Sequence, residues 1–238
     1  MIAFMRLTVI GCSGSVPGPD SVCSSYLVEE DGFRLLLDVG TGATGPLSRY
    51  AAPGELDAIF VSHAHGDHAG DLLNVWYHKD RFHAARPPIP VYGPPALAVW
   101  EHDHAAALEK IADPVSTDHI GPIRVRLAPV RHIEPTWAIR LGDRLCYTAD
   151  TEPCPELDEL AAGCDVILAE AARFDADAQQ GGHLSAGDAG RLAASAGARL
   201  LVVTHIRPWH DTVAILDEAA AYANCPVVAA HPGLRVLL

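Results

Sequence analysis

Ser62-His63-Ala64-His65-Gly66-Asp67-His68 puts three imidazoles and a carboxylate into six residues, directly after the β-rich run Ala58–Ser62. Imidazole and carboxylate suit zinc and neighbouring divalent metals. His63 and His65 stand two apart, so on an extended loop they point the same way. Asp67 and His68 fall where a helix begins, so their side chains leave in another direction. That geometry predicts two adjacent metals rather than one. Three more candidates end strand-like runs: His132 after Ile123–Pro129, Asp150 after Leu145–Thr148, and His205 after Leu200–Thr204. Any one of them alone would be an ordinary surface or core residue. Together they complete a coordination count of three neutral ligands for one metal, three mixed ligands for the other, and one carboxylate left to bridge.

Outward from this run the pattern is mixed α/β. Short β-rich runs cover Leu7–Ile10, Tyr26–Glu29, Leu35–Asp38 and Pro90–Tyr92, then Trp137–Leu141, Val166–Ala169 and Val227–Ala229. Helical spacing begins near His68 with Leu72, Leu73 and Trp76, and recurs over Pro95–Ile111, Ser185–Ala196 and Thr212–Ala223. Ser185 with Asp188 three residues on reads as a capping box, and Gly197 as the stop. Strand-rich halves with helices between them predict sheets packed face to face with helices outside. No repeat, low-complexity tract or linker divides residues 1–238, which are read as one domain.

Composition limits the partners. Lys and Arg number 17 against 30 Asp and Glu, a formal charge of −13. Such a surface repels long nucleic acids, which gain affinity from basic contacts. A small anionic substrate stays compatible, because bound cations reverse the local field. No apolar run approaches the roughly 18 residues of a spanning helix, so no membrane is expected. Val9-Ile10-Gly11-Cys12 imitates a lipoprotein cleavage site, but Arg6 interrupts the apolar stretch and the segment reads as a strand entering a glycine turn. The six cysteines form no C-x-x-C pair. They read as buried thiols of a reducing, cytoplasmic protein.

The sequence resembles the metallo-β-lactamase superfamily over nearly its whole length. The matching segments are Gly11-Cys12-Ser13-Gly14-Ser15, Asp38-Val39-Gly40, the His63–His68 run, His132, Tyr147-Thr148-Ala149-Asp150-Thr151, Gly182-His183-Leu184-Ser185-Ala186 and Thr204-His205-Ile206. The resemblance implies a four-layer αββα sandwich with a dinuclear site at one edge. It implies that His63, His65 and His132 hold one metal, that Asp67, His68 and His205 hold the other, and that Asp150 bridges them. The metal would be zinc, with manganese or iron as alternatives.

The same resemblance narrows the branch. Histidine at position 65, where di-iron redox members carry glutamate, favours a hydrolase. His132-Ile133-Glu134-Pro135 is closer to the phosphodiesterase style than to the thioesterase pattern, with Trp137 in place of glycine. Gly182–Ala186 looks like the helix motif of ribonuclease Z, which implies a catalytic His183 oriented by Glu170. Ribonuclease Z that matures transfer RNA carries a long arm before the bridging aspartate. Here only the 17 residues Ile133 to Ala149 separate His132 from Asp150. The cyclic-nucleotide phosphodiesterase-like branch without that arm is the nearest likeness, sharing the Gly-Cys-Ser-Gly-Ser opening and Thr204-His205-Ile206 through Pro208-Trp209.

The expected reaction is hydrolysis of a small phosphodiester, such as a cyclic nucleotide, by water activated between two divalent ions. The resemblance implies that Asp67 and Asp150 orient the nucleophile, and that His183, kept charged by Glu170, stabilises the transition state or protonates the leaving oxygen. The alternative is a carbon-centred ester, thioester, lactone or β-lactam, since the same metals polarise a carbonyl. Relatives often dimerise, but no stripe shows an interface, so a homodimer is left open. Trp209 and His210 follow His205 closely enough to reach a rim, with packing an equal alternative for Trp209. The remaining histidines carry no motif.

Overall fold

The computed structural model describes residues 4–100, 108–111, 116–133, 135–177 and 181–238. Two seven-stranded mixed sheets carry the chain. The first runs β14-β1-β2-β3-β4-β5-β6, from β1 (Met5–Gly11), β2 (Ser25–Glu30), β3 (Phe33–Leu37), β4 (Ala58–Phe60), β5 (Ile89–Tyr92), β6 (Leu108–Ile111) and β14 (Arg235–Leu237). The second runs β13-β12-β11-β10-β9-β8-β7, from β7 (His119–Ile120), β8 (Ile123–Val130), β9 (Thr136–Leu141), β10 (Leu145–Tyr147), β11 (Val166–Glu170), β12 (Leu200–Thr204) and β13 (Val227–Ala229). Each sheet is antiparallel at one end and parallel at the other, with β3 to β6 and β10 to β13 as the parallel stretches.

The sandwich follows from strands that are apolar on both faces. In β3, Leu35 and Leu37 face the core between the sheets while Leu36 faces outward under helices. In β11, Val166 and Leu168 join that same central core, and Ile167 and Ala169 face the other helical layer. The outer layer on the first sheet comes from α1 (Thr44–Leu47), α2 (Gly66–Ala69) and α3 (Leu72–Phe82); on the second it comes from α4 (Pro155–Ala161), α5 (Ala186–Ala196) and α6 (Thr212–Tyr222). This is the four-layer αββα sandwich.

The capping box on α5 is present: Ser185 Oγ accepts from Asp188 N, and Gly197 ends the helix at φ +69°. The helix expected near His68 divides into α2 and α3. It buries Leu72 and Val75 rather than Leu73, which is 39% exposed. The helix expected over Pro95–Ile111 is not one element. Pro95–Trp100 winds as a 3-10 turn, Leu108–Ile111 pairs as β6 along the open edge of β5, and the stretch between lies outside the described residues. The helix expectation fails at Leu108–Ile111, where the unpaired backbone of β5 takes those four residues as a strand. The short strands β7 and β14 also escape pattern reading.

Cys12, Cys23, Cys146, Cys154 and Cys164 are buried free thiols and Cys225 is half-buried. Among the described residues no helix is long and apolar enough to cross a membrane.

Candidate metal centre

The loops after β4, β8, β10, β11 and β12 all open along one edge of the sandwich. In α/β sheets this carboxyl edge is where ligands gather. Backbone strain aims several of the side chains. Asp38, Ala149 and His205 have φ of 57°, 53° and 54°. Left-handed non-glycine residues cost about 1–3 kcal/mol each. Asp38 directly follows β3, Ala149 precedes the candidate Asp150, and His205 is itself a candidate directly after β12.

Asp150 is the centre of the cluster and is 2% exposed. Its Oδ1 lies 3.3 Å from His68 Nε2, and its Oδ2 lies 3.4 Å from His205 Nε2 and 3.8 Å from both His63 Nε2 and His183 Nδ1. His65 Nδ1 stands 2.9 Å from His63 Nε2 and 3.2 Å from His132 Nε2. Asp67 Oδ2 lies 3.1 Å from His205 Nε2 and 3.7 Å from His68 Nε2, and it accepts a 2.9 Å bond from Ser15 N. All seven expected metal ligands therefore converge. They fall into two groups that share Asp150: His63, His65 and His132, and Asp67, His68 and His205.

A cation fits this donor set on two grounds. His68 Nε2 and Asp150 Oδ1 are buried without a hydrogen bond, a cost that a bound cation would remove. The rings are also held by their far nitrogens. His68 Nδ1 donates to Asp38 Oδ2 at 2.7 Å and His132 Nδ1 donates to the Gly182 carbonyl at 2.6 Å, leaving each Nε2 as the inward donor atom.

Asp38 is the residue that the sequence reading leaves without a task. It is fully buried and accepts from four donors: Ser62 N at 2.7 Å, Ser62 Oγ at 2.9 Å, His68 Nδ1 at 2.7 Å and the Tyr147 hydroxyl at 2.6 Å. Its one signal is its place at the end of β3, in Asp38-Val39-Gly40.

Electrostatics divides the histidines. Burial, reinforced by neighbouring His68, pushes His63 well below its ordinary value. Burial also opposes charge on His68, but Asp150 and Asp38 outweigh it and raise that ring well above the usual range. Burial opposes ionisation of Asp67 too, yet the bond from His205 and the charge of His68 hold its carboxyl below the usual carboxylate range.

Glu170 and His183 form a further pair against the cluster, and with Asp150 and His205 they make a third group whose ligand atoms lie within 4.8 Å of one another. Glu170 is buried, with Oε1 accepting from Thr151 N at 2.6 Å and Oε2 lying 2.9 Å from His183 Nδ1. The His183 side chain is 15% exposed. Burial works against its charged form, but the Glu170 carboxylate overcomes this and lifts its pKa to about 9. Trp209 is 63% exposed, so it is not a packing residue.

A two-sheet sandwich with an imidazole and carboxylate cluster along its strand-end edge defines a class, the metallo-hydrolases. The chain belongs to the beta-lactamase superfamily, whose domain model matches residues 33–206. It is 36% identical over 254 residues to an uncharacterised protein of Mycobacterium leprae, covering 98% of this chain and 88% of that one. It is 32% identical over 245 residues to ribonuclease Z of Mycolicibacterium paratuberculosis, covering 86% of each. The crystal structure of the metallo-beta-lactamase fold protein YhfI from Bacillus subtilis matches with a TM-score of 0.91 at 26% identity, covering 99% of this chain and 100% of that one. Between His132 and Asp150 the chain forms β9 and β10 and little else, so it is of the short kind without an arm.

Proposed function

We propose that this chain, acting as one domain, is a dinuclear phosphodiesterase for a small phosphodiester such as a cyclic nucleotide. The observation that carries the reading is the Glu170–His183 pair. It supplies a charged, partly exposed imidazole beside the cluster that the two metal-holding groups do not need. The likeness to a protein named ribonuclease Z supports phosphoester over acyl chemistry.

His63, His65 and His132 would hold one ion and Asp67, His68 and His205 the other, with Asp150 between them. When bound, such ions lower the pKa of water to about 7 and offset negative charge on phosphoryl oxygens. Asp67, kept ionised, orients the attacking water by accepting a hydrogen bond from one of its O–H groups, while the water's other proton leaves to solvent. The water oxygen bonds to phosphorus as the ester P–O bond breaks. His183 donates its Nε2 proton to the departing oxygen while Glu170 holds Nδ1. The chain's net charge of −13 disfavours a long polyanion at the same edge.

The test is a hydrolysis panel of bis(p-nitrophenyl) phosphate, cyclic nucleotides, a thioester and a β-lactam on protein loaded with Zn²⁺ or Mn²⁺. Turnover confined to the phosphodiesters is expected. Turnover confined to the thioester or lactam overturns the reading.

A further inference from the structure

A cavity of about 280 Å³ adjoins the cluster through the backbone of His205, because Thr204 and Ile206 on either side of that residue both line it. Its two long walls are the loops 16–21 and 206–212. They approach at Gly18, where a Cβ would meet Pro208 Cβ at 3.0 Å. Small-molecule sites span about 300–1,000 Å³. Just below that range, the cavity has room for a single base and not for a longer nucleic acid.

Its chemistry suits a flat ring with a polar edge. Pro19, Ile206, Pro208 and Pro232 present apolar surfaces, while Asp20 and His210 stand among them with groups that can meet ring amino and imino positions. Arg207 is the one Lys or Arg that lines the cavity. Its guanidinium lies 5.9 Å from the Trp209 ring centroid. Arg207 follows the cluster residue His205 by two positions and lines the cavity, so its charge is offered to an anionic group at the end of the cavity that His205 borders.

Resting on the phosphodiesterase reading, we propose that this cavity receives the base of a nucleoside phosphodiester while Arg207 holds a phosphate oxygen. The active site would then recognise mononucleotide-sized substrates by the base as well as by the phosphate.

The test is calorimetric binding of adenosine 5′-monophosphate and ribose 5-phosphate to zinc-loaded protein, which compares ligands with and without a base. The nucleotide should bind at least about tenfold tighter, the equivalent of 1.4 kcal/mol. Thr212→Trp, which fills the cavity from an exposed wall, should remove most of that difference; Asp20→Trp, from the opposite wall, serves if the first variant melts early by circular dichroism. Arg207→Met should weaken both ligands alike. Equal binding of the two ligands, no binding of either, or a difference that survives both tryptophan variants overturns the base site. Unchanged affinities in Arg207→Met overturn the phosphate contact. Turnover of bis(p-nitrophenyl) phosphate, which has no base, judges the phosphodiesterase reading separately.

Discussion

The protein contains the same chemical pair twice, a buried carboxylate against an imidazole Nδ1, and the two copies face different ways. Asp38 meets His68 at 2.7 Å with both side chains fully buried; Glu170 meets His183 at 2.9 Å with the ring 15% exposed. The second nitrogen decides what each pair can do. His68 Nε2 is sealed in without a hydrogen bond, 3.3 Å from Asp150, where only a bound ion and not a substrate could reach it. His183 lies on the rim, where a substrate can reach it. A carboxylate–imidazole pair is therefore not a role in itself: under the proposed mechanism the same bond would serve ligand orientation in one place and proton delivery in the other.

The largest effect expected is on the rim. His183→Ala should keep its fold and metal content yet lose about 10²–10⁴-fold in kcat, the usual contribution of a general acid or base. kcat/KM should fall by the same factor if the group acts only in the transition state. Steady-state kinetics on a phosphodiester, with metal assayed in the same samples, checks this; near-wild-type turnover by metal-replete His183→Ala would make the two pairs equivalent and break the contrast.

The buried pair should fail in the opposite way. Asp38→Asn keeps the volume but weakens the hold on His68 Nδ1, and losing such an outer partner typically costs about 10–100-fold in metal affinity. Competition with a chelator should show that loss, while kcat at saturating metal stays within a few-fold. Asp38→Ala should also lower stability, since it strands Ser62, His68 and the Tyr147 hydroxyl, and each buried unpaired group costs about 1–3 kcal/mol. A chemical-denaturation midpoint equal to wild type would show that the hub is dispensable.

This contrast also explains what was legible in the sequence. His63 to His68 declare themselves because four donor groups occupy one loop. His132, Asp150 and His205 each come from a separate strand end, so the sequence shows them one at a time and only the two facing sheets bring them together. Asp38 stands 25 positions before His63, and its bonds to Ser62 and Tyr147 join two sheets, which no local spacing reports. The alternation in β3 and β11 makes the sandwich readable. At the end of the segment Pro95–Ile111 the helical reading misleads at Leu108–Ile111, because only the open edge of β5, distant in sequence, decides in favour of a strand there.

A smaller effect separates orientation from reaction within the rim pair. Glu170→Gln should lower kcat in the same direction as His183→Ala but by less, since the glutamine still holds Nδ1 by a weaker, uncharged bond. The double variant should be no slower than His183→Ala, as for groups acting as a unit. A multiplicative loss in the double variant would mean that Glu170 acts on something other than His183.

The smallest effect is a shift in pH rather than in rate. The Glu170 carboxylate raises His183 to about 9 against the opposing pull of burial. A raised histidine is protonated below its folded pKa and loses the proton as pH climbs through it. Chemistry that needs the protonated ring is thus fully available at neutral pH and is lost on the alkaline side. Bound cations repel that proton and bring the limb lower, but they do so equally in wild type and variant. In Glu170→Gln the raising charge is gone while burial remains, so the alkaline limb of kcat/KM must move to lower pH. Profiles between about pH 6 and 10 on one phosphodiester measure the difference directly. Superimposable limbs would show that Glu170 does not set the protonation of His183. The rim pair would then be a fixed scaffold like Asp38 and His68, and the contrast between the two copies would rest on exposure alone.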